Sequence, residues 1–399
     1  MAQQKKLIFS NISILFKKKK FIFLMHLLFV LLIVFNIFNI VITQKEKYFS
    51  FNYNQSFASL HKTYYDSVYK NKHGSFIPDE VIYSYVSGAL VRGESPILLN
   101  PEVPPLGTYI IGLSTIIFNN QHLIIIIFAL LSLFLMFLIG RQVFGSDTLA
   151  LLPPTLFSFE PIFKNQLVFT PLLDIIQLTF LLSIFYFFNK AIGNKKRFFL
   201  LIVIVNIFLG FFISTKFYGT GITVVFAILL PFVIHKEWKR FIYTIVAMPI
   251  AVVILYANYF VVILKGYSFI KFLGIQKWIF LYNEGHVMNF FTMWPLLLFN
   301  KWYLWYGKVK VISDSQWIIS WPILTLTSLI FALISFVRRY LNRNLEILFF
   351  WMLSYLLFLS FSNASARYFV ILIPVLYITS IYAIIEFVKS DFIRTKVKI

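Results

Sequence analysis

Two adjacent carboxylates, Asp79 and Glu80, stand out in this sequence as residues whose type and spacing could do chemistry. They lie in the stretch from Phe76 to Tyr109, between two apolar segments, and a helical pattern from Val81 to Val91 follows them. One carboxylate can accept a proton from an attacking hydroxyl or amine, and a second can hold a divalent cation. The alternative is an acidic loop in solvent that does no chemistry, and these residues alone leave both interpretations open.

The composition places these acids in a membrane protein. Of 399 residues, 60% are hydrophobic and only 13% are charged, against about 25% charged in soluble domains. Several apolar runs reach the roughly 20 residues that cross a bilayer. The net charge of +21 comes mainly from Lys and Arg between these runs, which the positive-inside rule explains without a nucleic-acid partner. The absence of cysteine excludes disulfides and thiolate sites. The sequence therefore predicts an all-α polytopic protein of the cell membrane, with lipids around a single membrane domain, residues 1–399.

The order of the apolar segments predicts which loops share a side. Residues 21–43 follow four lysines and lack a small-residue cleavage site, which predicts an uncleaved first helix with a cytoplasmic N-terminus. Residues 44–104 then form an extracytoplasmic loop that is long enough to carry function. Residues 105–118 are apolar but short, which favours an interfacial or re-entrant helix over a span. With that choice the basic connectors 141–147, 189–197 and 235–240 all face the cytoplasm.

The whole chain then contains about ten transmembrane helices. A second extracytoplasmic segment, residues 264–316, is rich in Trp and Tyr, which are typical of membrane interfaces. The C-terminus returns to the cytoplasm. The predicted spans lie near residues 21–43, 121–140, 148–163, 171–188, 198–214, 218–234, 241–263, 317–337, 345–362 and 367–387.

Three further charged residues lie at the extracytoplasmic ends of predicted spans. Asp174 begins one span, Lys216 ends another and Arg367 begins the last. A charge at membrane depth is costly and marks a candidate functional site. For Lys216 the alternative is a side chain that extends to the lipid headgroups, and Arg367 is a weaker candidate of the same kind. Cations there suit a lipid-linked phosphate, and the carboxylates suit proton transfer or a metal ion.

Several motifs along the chain resemble the GT-C glycosyltransferases. They are the Asp79-Glu80 pair after the first helix, GESP, NPEVPPLGTYIIG, TPLLDII, STKFYG and a segment with His286 and WPL. They are most similar to the protein O-mannosyltransferases and to the relatives that transfer aminoarabinose to lipid A. The resemblance covers most of residues 15–385, and it implies a helical bundle in which juxtamembrane helices occupy the first outer loop.

The resemblance also implies roles for individual residues. Asp79 matches the catalytic acid and would be the general base, while Glu80 would assist or orient a divalent metal cation. Asp174 matches the second acid of the catalytic group. Lys216 matches the residue near the donor phosphate, and Arg367 is a second candidate for that contact. His286 and Trp294 match the later outer segment, where substrate binding and a structural role are both open.

The sequence departs from the family in two respects that leave the acceptor open, and one of them is the absence of the soluble sugar-binding insertion of the eukaryotic members. The mannosyltransferases place an arginine shortly before the second acid, whereas this chain has only Lys164 and Gln166 there. The predicted activity is transfer of a sugar, with inversion, from a polyprenyl-phosphate donor to a protein or lipid acceptor on the extracytoplasmic face. The alternative is a transporter or flippase of a lipid-linked saccharide, although such proteins tend to contain internal repeats.

The predicted topology can be tested by the accessibility of inserted tags. A tag at Asn54 or at Asn283 should be reached from outside the cell, whereas a tag at Asn194 should be reached only after the membrane is permeabilised. The expectation follows from the Lys and Arg bias of the connectors. If Asn194 were labelled from the same side as Asn54, the predicted order of spans would be wrong.

Overall fold

A computed structural model describes residues 2–70, 77–284, 290–304, 310–337 and 342–396, with side chains between residues 19 and 388. Within these ranges the backbone is almost entirely helical. The α-helices, numbered in chain order, are α1 Ala2–Thr43, α2 Tyr53–Tyr69, α3 Asp79–Val91, α4 Pro96–Leu99, α5 Leu106–Phe118, α6 Leu123–Phe144, α7 Asp147–Phe159, α8 Pro161–Val168, α9 Asp174–Gly193, α10 Phe198–Thr215, α11 Thr220–Ile234, α12 Trp238–Ala247, α13 Pro249–Ala257, α14 Phe260–Leu264, α15 Phe269–Glu284, α16 Met293–Phe299, α17 Ser320–Val337, α18 Glu346–Ser360 and α19 Ile373–Lys396.

Six candidate spans among the described residues are long and apolar enough to cross a membrane. They are Lys19–Thr43, Leu123–Phe144, Asp174–Gly193, Phe198–Thr215, Trp238–Ala257 and Ser320–Val337. Four shorter helices are also apolar, namely Leu106–Phe118, Thr220–Ile234, Glu346–Ser360 and Ile373–Val388. The predicted all-α polytopic fold is confirmed. The predicted segment 105–118 is the helix α5, whose 13 residues are fewer than a simple span needs.

The span predicted near residues 148–163 is not one continuous helix. Helix α7 ends at Phe159, and α8 begins at Pro161 after Glu160, whose backbone is non-helical with φ −58° and ψ 133°. Proline disfavours the helical conformation of the residue before it and is well suited to the first position of a new helix. The dipeptide Glu160-Pro161 therefore produces the break. The span predicted near 241–263 is likewise divided into α12, α13 and α14.

The helix α9 lies at the centre of the bundle. In its membrane-crossing window 78% of the residues are buried, against 11% for the first span, Lys19–Thr43. It packs between α6 and α10 and also contacts α18. A residue at either end of α9 is therefore close to several other helices, and this is the position of Asp174.

The predicted first outer loop, residues 44–104, contains helices that pack on the bundle. Asn52 caps α2, because its side-chain oxygen accepts a hydrogen bond of 3.0 Å from the Gln55 backbone N–H. The buried Tyr53 hydroxyl donates to the Ser84 carbonyl at 3.0 Å and so joins α2 to α3. Helix α3 in turn packs closely on α5, since a Cβ atom added at Gly112 would lie 2.5 Å from the Ser87 carbonyl oxygen.

The second outer segment is also structured where it is described. It contains α15, α16 and a short antiparallel pair of strands, β1 Trp302–Tyr303 and β2 Val311–Ile312, in which Trp302 pairs with Ile312. The Trp302 indole N–H donates to the Ala364 carbonyl at 2.7 Å. This contact attaches the hairpin to the loop that precedes Arg367.

Polar contacts bring the basic connectors together at one end of the bundle. The Asn344 side chain donates to the Gln142 carbonyl at 2.7 Å, and Asn189 donates to the Asn344 carbonyl at 2.9 Å. Arg343 pairs with Glu237 at 2.7 Å. The connectors near residues 142, 189, 237 and 344 therefore share one side, as the sequence predicts. That this side is cytoplasmic stays a prediction.

The close packing of α3 on α5 can be tested with matched glycine substitutions. Gly112→Ala should destabilise the protein by about 1–3 kcal/mol, because the added methyl group meets backbone atoms that cannot move away. Gly274→Ala in α15 is the control, since a Cβ atom there meets nothing within 4 Å, and alanine should stabilise this helix by about 0.5–1 kcal/mol. The measurement is thermal unfolding in detergent. A Gly112→Ala protein as stable as the wild type would contradict the described packing.

Candidate active site

Four charged residues from separate parts of the chain meet at the end of the bundle opposite the basic connectors. Asp79 begins α3 and Asp174 begins α9. Lys216 directly follows α10 in an extended conformation, and Arg367 lies in a 3₁₀ turn, Ala366–Val370. We call these four residues the charged quartet. The sequence predicts each of them as a site residue, and the structure brings them together as two ion pairs.

The first ion pair joins the outer loop to the start of the last span. The Arg367 guanidinium donates to Asp79 Oδ2 at 2.7 Å, and the Tyr83 hydroxyl donates to the same oxygen at 3.1 Å. Tyr83 lies one helical turn after Asp79, which places both side chains on one face of α3. Burial and the nearby Asp79 raise the pKa of Tyr83 well above its usual value, so the phenol remains a neutral donor.

The second ion pair lies deeper in the protein. Lys216 Nζ donates to Asp174 Oδ1, and the side chains of Lys216 and Asp174 are only 12% and 5% exposed. The side chains of Arg367 and Asp79 are 27% and 18% exposed, so the first pair forms the open edge of the site. Breaking a buried pair by removing one partner leaves an uncompensated charge, which is strongly unfavourable.

The ring of Tyr368 connects the two pairs. Lys216 Nζ lies 5.2 Å from its centroid, and Arg367 Cζ lies 5.8 Å from it, which are distances of cation–π contact. The Tyr355 hydroxyl donates to the Tyr368 carbonyl at 3.0 Å and holds this turn against α18.

Electrostatic coupling extends across the whole quartet. Burial opposes the charge on Arg367, but the carboxylates of Asp79 and Asp174 outweigh it and hold the pKa of Arg367 well above its usual value. Burial lowers the pKa of Lys216, while Asp174 and Asp79 act in the opposite direction. Both carboxylates therefore stabilise the positive charge of each cation.

Close backbone packing supports the deeper pair. A Cβ atom added at Gly107 would lie 2.8 Å from Leu173 and 3.1 Å from the Thr215 carbonyl oxygen. Gly107 thus lets the start of α5 approach the residues that precede Asp174 and Lys216 in the chain. Gln177, one turn after Asp174, donates to the Thr220 hydroxyl at 3.4 Å, which joins α9 to the start of α11.

Two other predicted site residues, Glu80 and Trp294, form no pair with a residue of the quartet among the described residues. Glu80 forms no hydrogen bond or ion pair within the described part of the chain, and its charge acts on Lys47 instead. The Trp294 indole N–H donates to Ser360 Oγ at 3.0 Å, a contact between α16 and the end of α18. His286 lies outside the described residues. Substrate binding by Trp294 and His286 stays a prediction.

A divalent metal has no evident ligand set in the part of the chain that is described. No group of three or more His, Asp or Glu side chains lies together there. The carboxylates of Asp79 and Asp174 are directed at cations, and Glu80 stands apart from both. The described residues therefore do not fit the predicted divalent metal.

Glu160 is a buried acid whose environment sequence reasoning missed. It is fully buried and accepts hydrogen bonds from Ser320 at 2.9 Å, from the Trp321 indole N–H at 3.1 Å and from the Tyr377 hydroxyl. Trp321 also packs edge-on against Phe369, which lies in the same turn as Arg367. Glu160 thus joins the break between α7 and α8 to α17 and α19. A glutamate directly before a proline inside an apolar run was the available signal.

Comparison with known proteins supports the fold. Residues 102–263, less than half of the chain, match the family model described as dolichyl-phosphate-mannose-protein mannosyltransferase. The structure is similar to ArnT from Cupriavidus metallidurans bound to undecaprenyl phosphate, with a TM-score of 0.55, 16% identity and 82% of this chain covered. The apo state of the same protein gives a TM-score of 0.53, 13% identity and 82% coverage. No curated protein sequence matches the chain.

The comparisons identify a class of fold. The chain is an all-α polytopic membrane protein with the GT-C fold, as the sequence predicts. It spans 58% of the length of each ArnT chain.

The dependence of the deeper ion pair on both partners can be tested by paired substitutions. Lys216→Met should lower the free energy of unfolding by about 3–5 kcal/mol, because Asp174 is left buried and unpaired. The double variant Asp174→Asn/Lys216→Met should recover most of that loss, since neither member of this pair then carries a charge. Thermal unfolding of the purified proteins gives the comparison. If the double variant were as unstable as the sum of the single variants, the two residues would not form a coupled pair.

Proposed function

We propose that the chain is a glycosyltransferase that moves a sugar from a polyprenyl-phosphate donor to a protein or lipid acceptor, with inversion at the anomeric carbon. The observation that carries this proposal is the charged quartet, in which two cations and two carboxylates meet at the end of the bundle opposite the basic connectors. The GT-C fold supports the same class of reaction.

Lys216 and Arg367 would bind the donor phosphate. Both are held against the Tyr368 ring, and Arg367 lies on the more exposed edge of the site. Arginine and lysine are the usual ligands of phosphate, and the charge assistance makes such hydrogen bonds strong. Since the quartet has no net charge without a ligand, the phosphate must compete with a carboxylate for one of the cations. The exposed Arg367–Asp79 pair is the one that can open at least cost.

Asp79 would act as the general base. When Arg367 turns to the phosphate, the Asp79 carboxylate loses its strongest partner and becomes available to an acceptor hydroxyl or amine. The Tyr83 hydroxyl remains bonded to Asp79 Oδ2 and keeps the carboxylate in place. A base within hydrogen-bond reach of the attacking group is the geometry that general base catalysis requires.

The reaction can be written with all bonds accounted for. The acceptor oxygen or nitrogen attacks the anomeric carbon, and its proton passes to Asp79. The bond between that carbon and the phosphate oxygen breaks as the new bond forms, and polyprenyl phosphate leaves with the electron pair. Lys216 and Arg367 stabilise the negative charge that develops on the leaving phosphate. A single displacement on the opposite face inverts the anomeric carbon.

Asp174 would position Lys216 rather than contact the reacting atoms. Its carboxylate, 5% exposed, offsets the cost of burying the ammonium group and fixes it beside Tyr368. We place this site on the extracytoplasmic face and both termini in the cytoplasm, because the basic connectors meet at the opposite end of the bundle.

The role of Asp79 can be tested with a near-isosteric substitution. Asp79→Asn should slow transfer by about 100- to 10,000-fold, since the amide cannot accept the proton of the acceptor. Donor binding should be equal or tighter, because Arg367 no longer has a carboxylate partner at this position. The assay is transfer from a polyprenyl-phosphate sugar by purified protein, with the affinity for the donor measured separately.

Asp66→Asn is the matched control, since Asp66 pairs with Lys70 on the exposed face of α2 and should not affect transfer. Near-normal transfer by Asp79→Asn would overturn the proposed mechanism. Movement of a lipid-linked sugar across the membrane without any transfer would favour a transporter.

A further inference from the structure

Helix α15 is attached to the bundle near its start, at its middle and near its end. Three contacts make the attachment, namely the ring contact of Tyr256 with Phe272 at 5.0 Å, the hydrogen bond from the Tyr218 hydroxyl to the Gln276 carbonyl at 2.8 Å, and the hydrogen bond from the Tyr282 hydroxyl to Glu102 at 2.9 Å. The partners on the bundle lie next to the end of α13, the start of α11 and the start of α5. Helix α15 therefore connects three separate helix ends.

All three of these helix ends lie at the quartet end of the bundle. Tyr218 follows Lys216 by two residues, and Gly107 brings the start of α5 against the residue before Lys216. The span that starts at Trp238 beside the basic connectors ends with α13 at the opposite side. Helix α15 has 16 residues and is about 24 Å long. Because this whole length stays at one level of the bundle, its axis runs along the membrane plane and not across it.

The side of α15 that faces away from the bundle is mainly apolar. Phe272 and Ile279 are buried at 3% and 0% exposure and mark the side that packs on the bundle. The exposed apolar side chains are Phe269, Ile270, Leu273, Trp278, Phe280 and Leu281, and Ile270 is the most exposed of them at 79%. A large exposed apolar surface marks a contact with a membrane or a partner.

The neighbouring helices indicate which of these covers α15. Val252 and Val253 are more than half exposed on the candidate span Trp238–Ala257, and apolar side chains exposed on a span face lipid. Phe260 and Leu264 of α14, which joins this span to α15, are exposed as well. The apolar side of α15 thus continues a surface that lipid already covers.

Other side chains of α15 suit the headgroup layer of a membrane. Lys271 and Lys277 are exposed, and a lysine can extend its ammonium group to lipid phosphates while its methylene groups stay in apolar surroundings. Trp278 stacks on Tyr282 with 5.1 Å between the ring centroids, and these two residue types concentrate at membrane interfaces. A water-soluble partner would have to displace the lipid beside α13.

We propose that α15 is an interfacial helix that binds the leaflet around the charged quartet. Its exposed apolar side chains lie among the acyl chains, and Lys271 and Lys277 reach the phosphates of the phospholipids. The partner of this surface is the lipid bilayer. The proposal is independent of the proposed transfer activity, because it concerns only how the second outer segment meets the membrane.

The test measures the depth of spin labels in liposomes of phosphatidylcholine and phosphatidylglycerol. The chain has no cysteine, so Ile270→Cys and Leu281→Cys each give a single nitroxide label. These positions are eleven residues apart, about three helical turns, and share one side of α15. Both labels should be reached by oxygen more readily than by a water-soluble nickel chelate. Both should lie about 5–10 Å into the boundary between headgroups and acyl chains, at depths that agree within about 5 Å.

Two control labels define the limits of the measurement. Ile330→Cys lies on the exposed side of the candidate span α17 and should report lipid, whereas Ser59→Cys on the exposed polar side of α2 should report water. The melting temperature of each labelled protein is compared with that of the wild type. Leu273→Cys and Phe280→Cys, which also share one side of α15, repeat the comparison if the first pair does not fold.

Three results would overturn the proposal. Labels on α15 that the nickel chelate reaches as readily as the label at Ser59 would place this surface in water, free for a soluble partner. Labels that neither reagent reaches would place protein there, such as a second copy of the chain. Depths at Ile270 and Leu281 that differ by about 16 Å, their separation along the helix axis, would show that α15 crosses the membrane.

Discussion

The cost of burying charge in an apolar helical bundle governs the structure around the candidate site. Asp174 and Lys216 are almost fully buried, and each is tolerated because the other neutralises it. Their pairing fixes the start of α9 against the end of α10, and both helices are candidate membrane spans. Arg367 and Asp79 repeat the arrangement at the open edge, where they bring the outer loop against the last span. In the proposed mechanism, a ligand with its own negative charge would therefore compete with a carboxylate for one of the cations.

Helix α3 presents side chains to two different polar environments. Its first turn presents Asp79 and Tyr83 toward the cations, and Glu80 and Ser84 toward buried, uncharged polar side chains around Gln121. Its back face is fixed by Tyr53 and by the close contact with α5 at Gly112. The helix that carries the proposed base is thus supported from two sides.

Asp174, Lys216 and Arg367 could be predicted from the sequence because charges at membrane depth are rare and need a partner, and Asp79 could be predicted from its place in an acid pair between apolar segments. Their pairing could not, since Asp79 and Arg367 are separated by most of the chain. The break at Glu160 could have been predicted from Pro161, whereas its hydrogen bonds to Trp321 and Tyr377 depend on long-range packing. The burial of Gln121 and Thr170 could not be predicted for the same reason. Both are polar residues in connecting segments, and only the long-range packing of the helices buries them.

The proposed mechanism requires the charged quartet to exchange a carboxylate for the phosphate of a lipid-linked donor. A cryo-electron microscopy structure with bound undecaprenyl phosphate would show this exchange. We expect phosphate oxygens within hydrogen-bond distance of Lys216 and Arg367, with the Asp79–Arg367 distance longer than its present 2.7 Å and the Asp174–Lys216 pair retained. A phosphate bound elsewhere, with both ion pairs unchanged, would contradict the proposed mechanism.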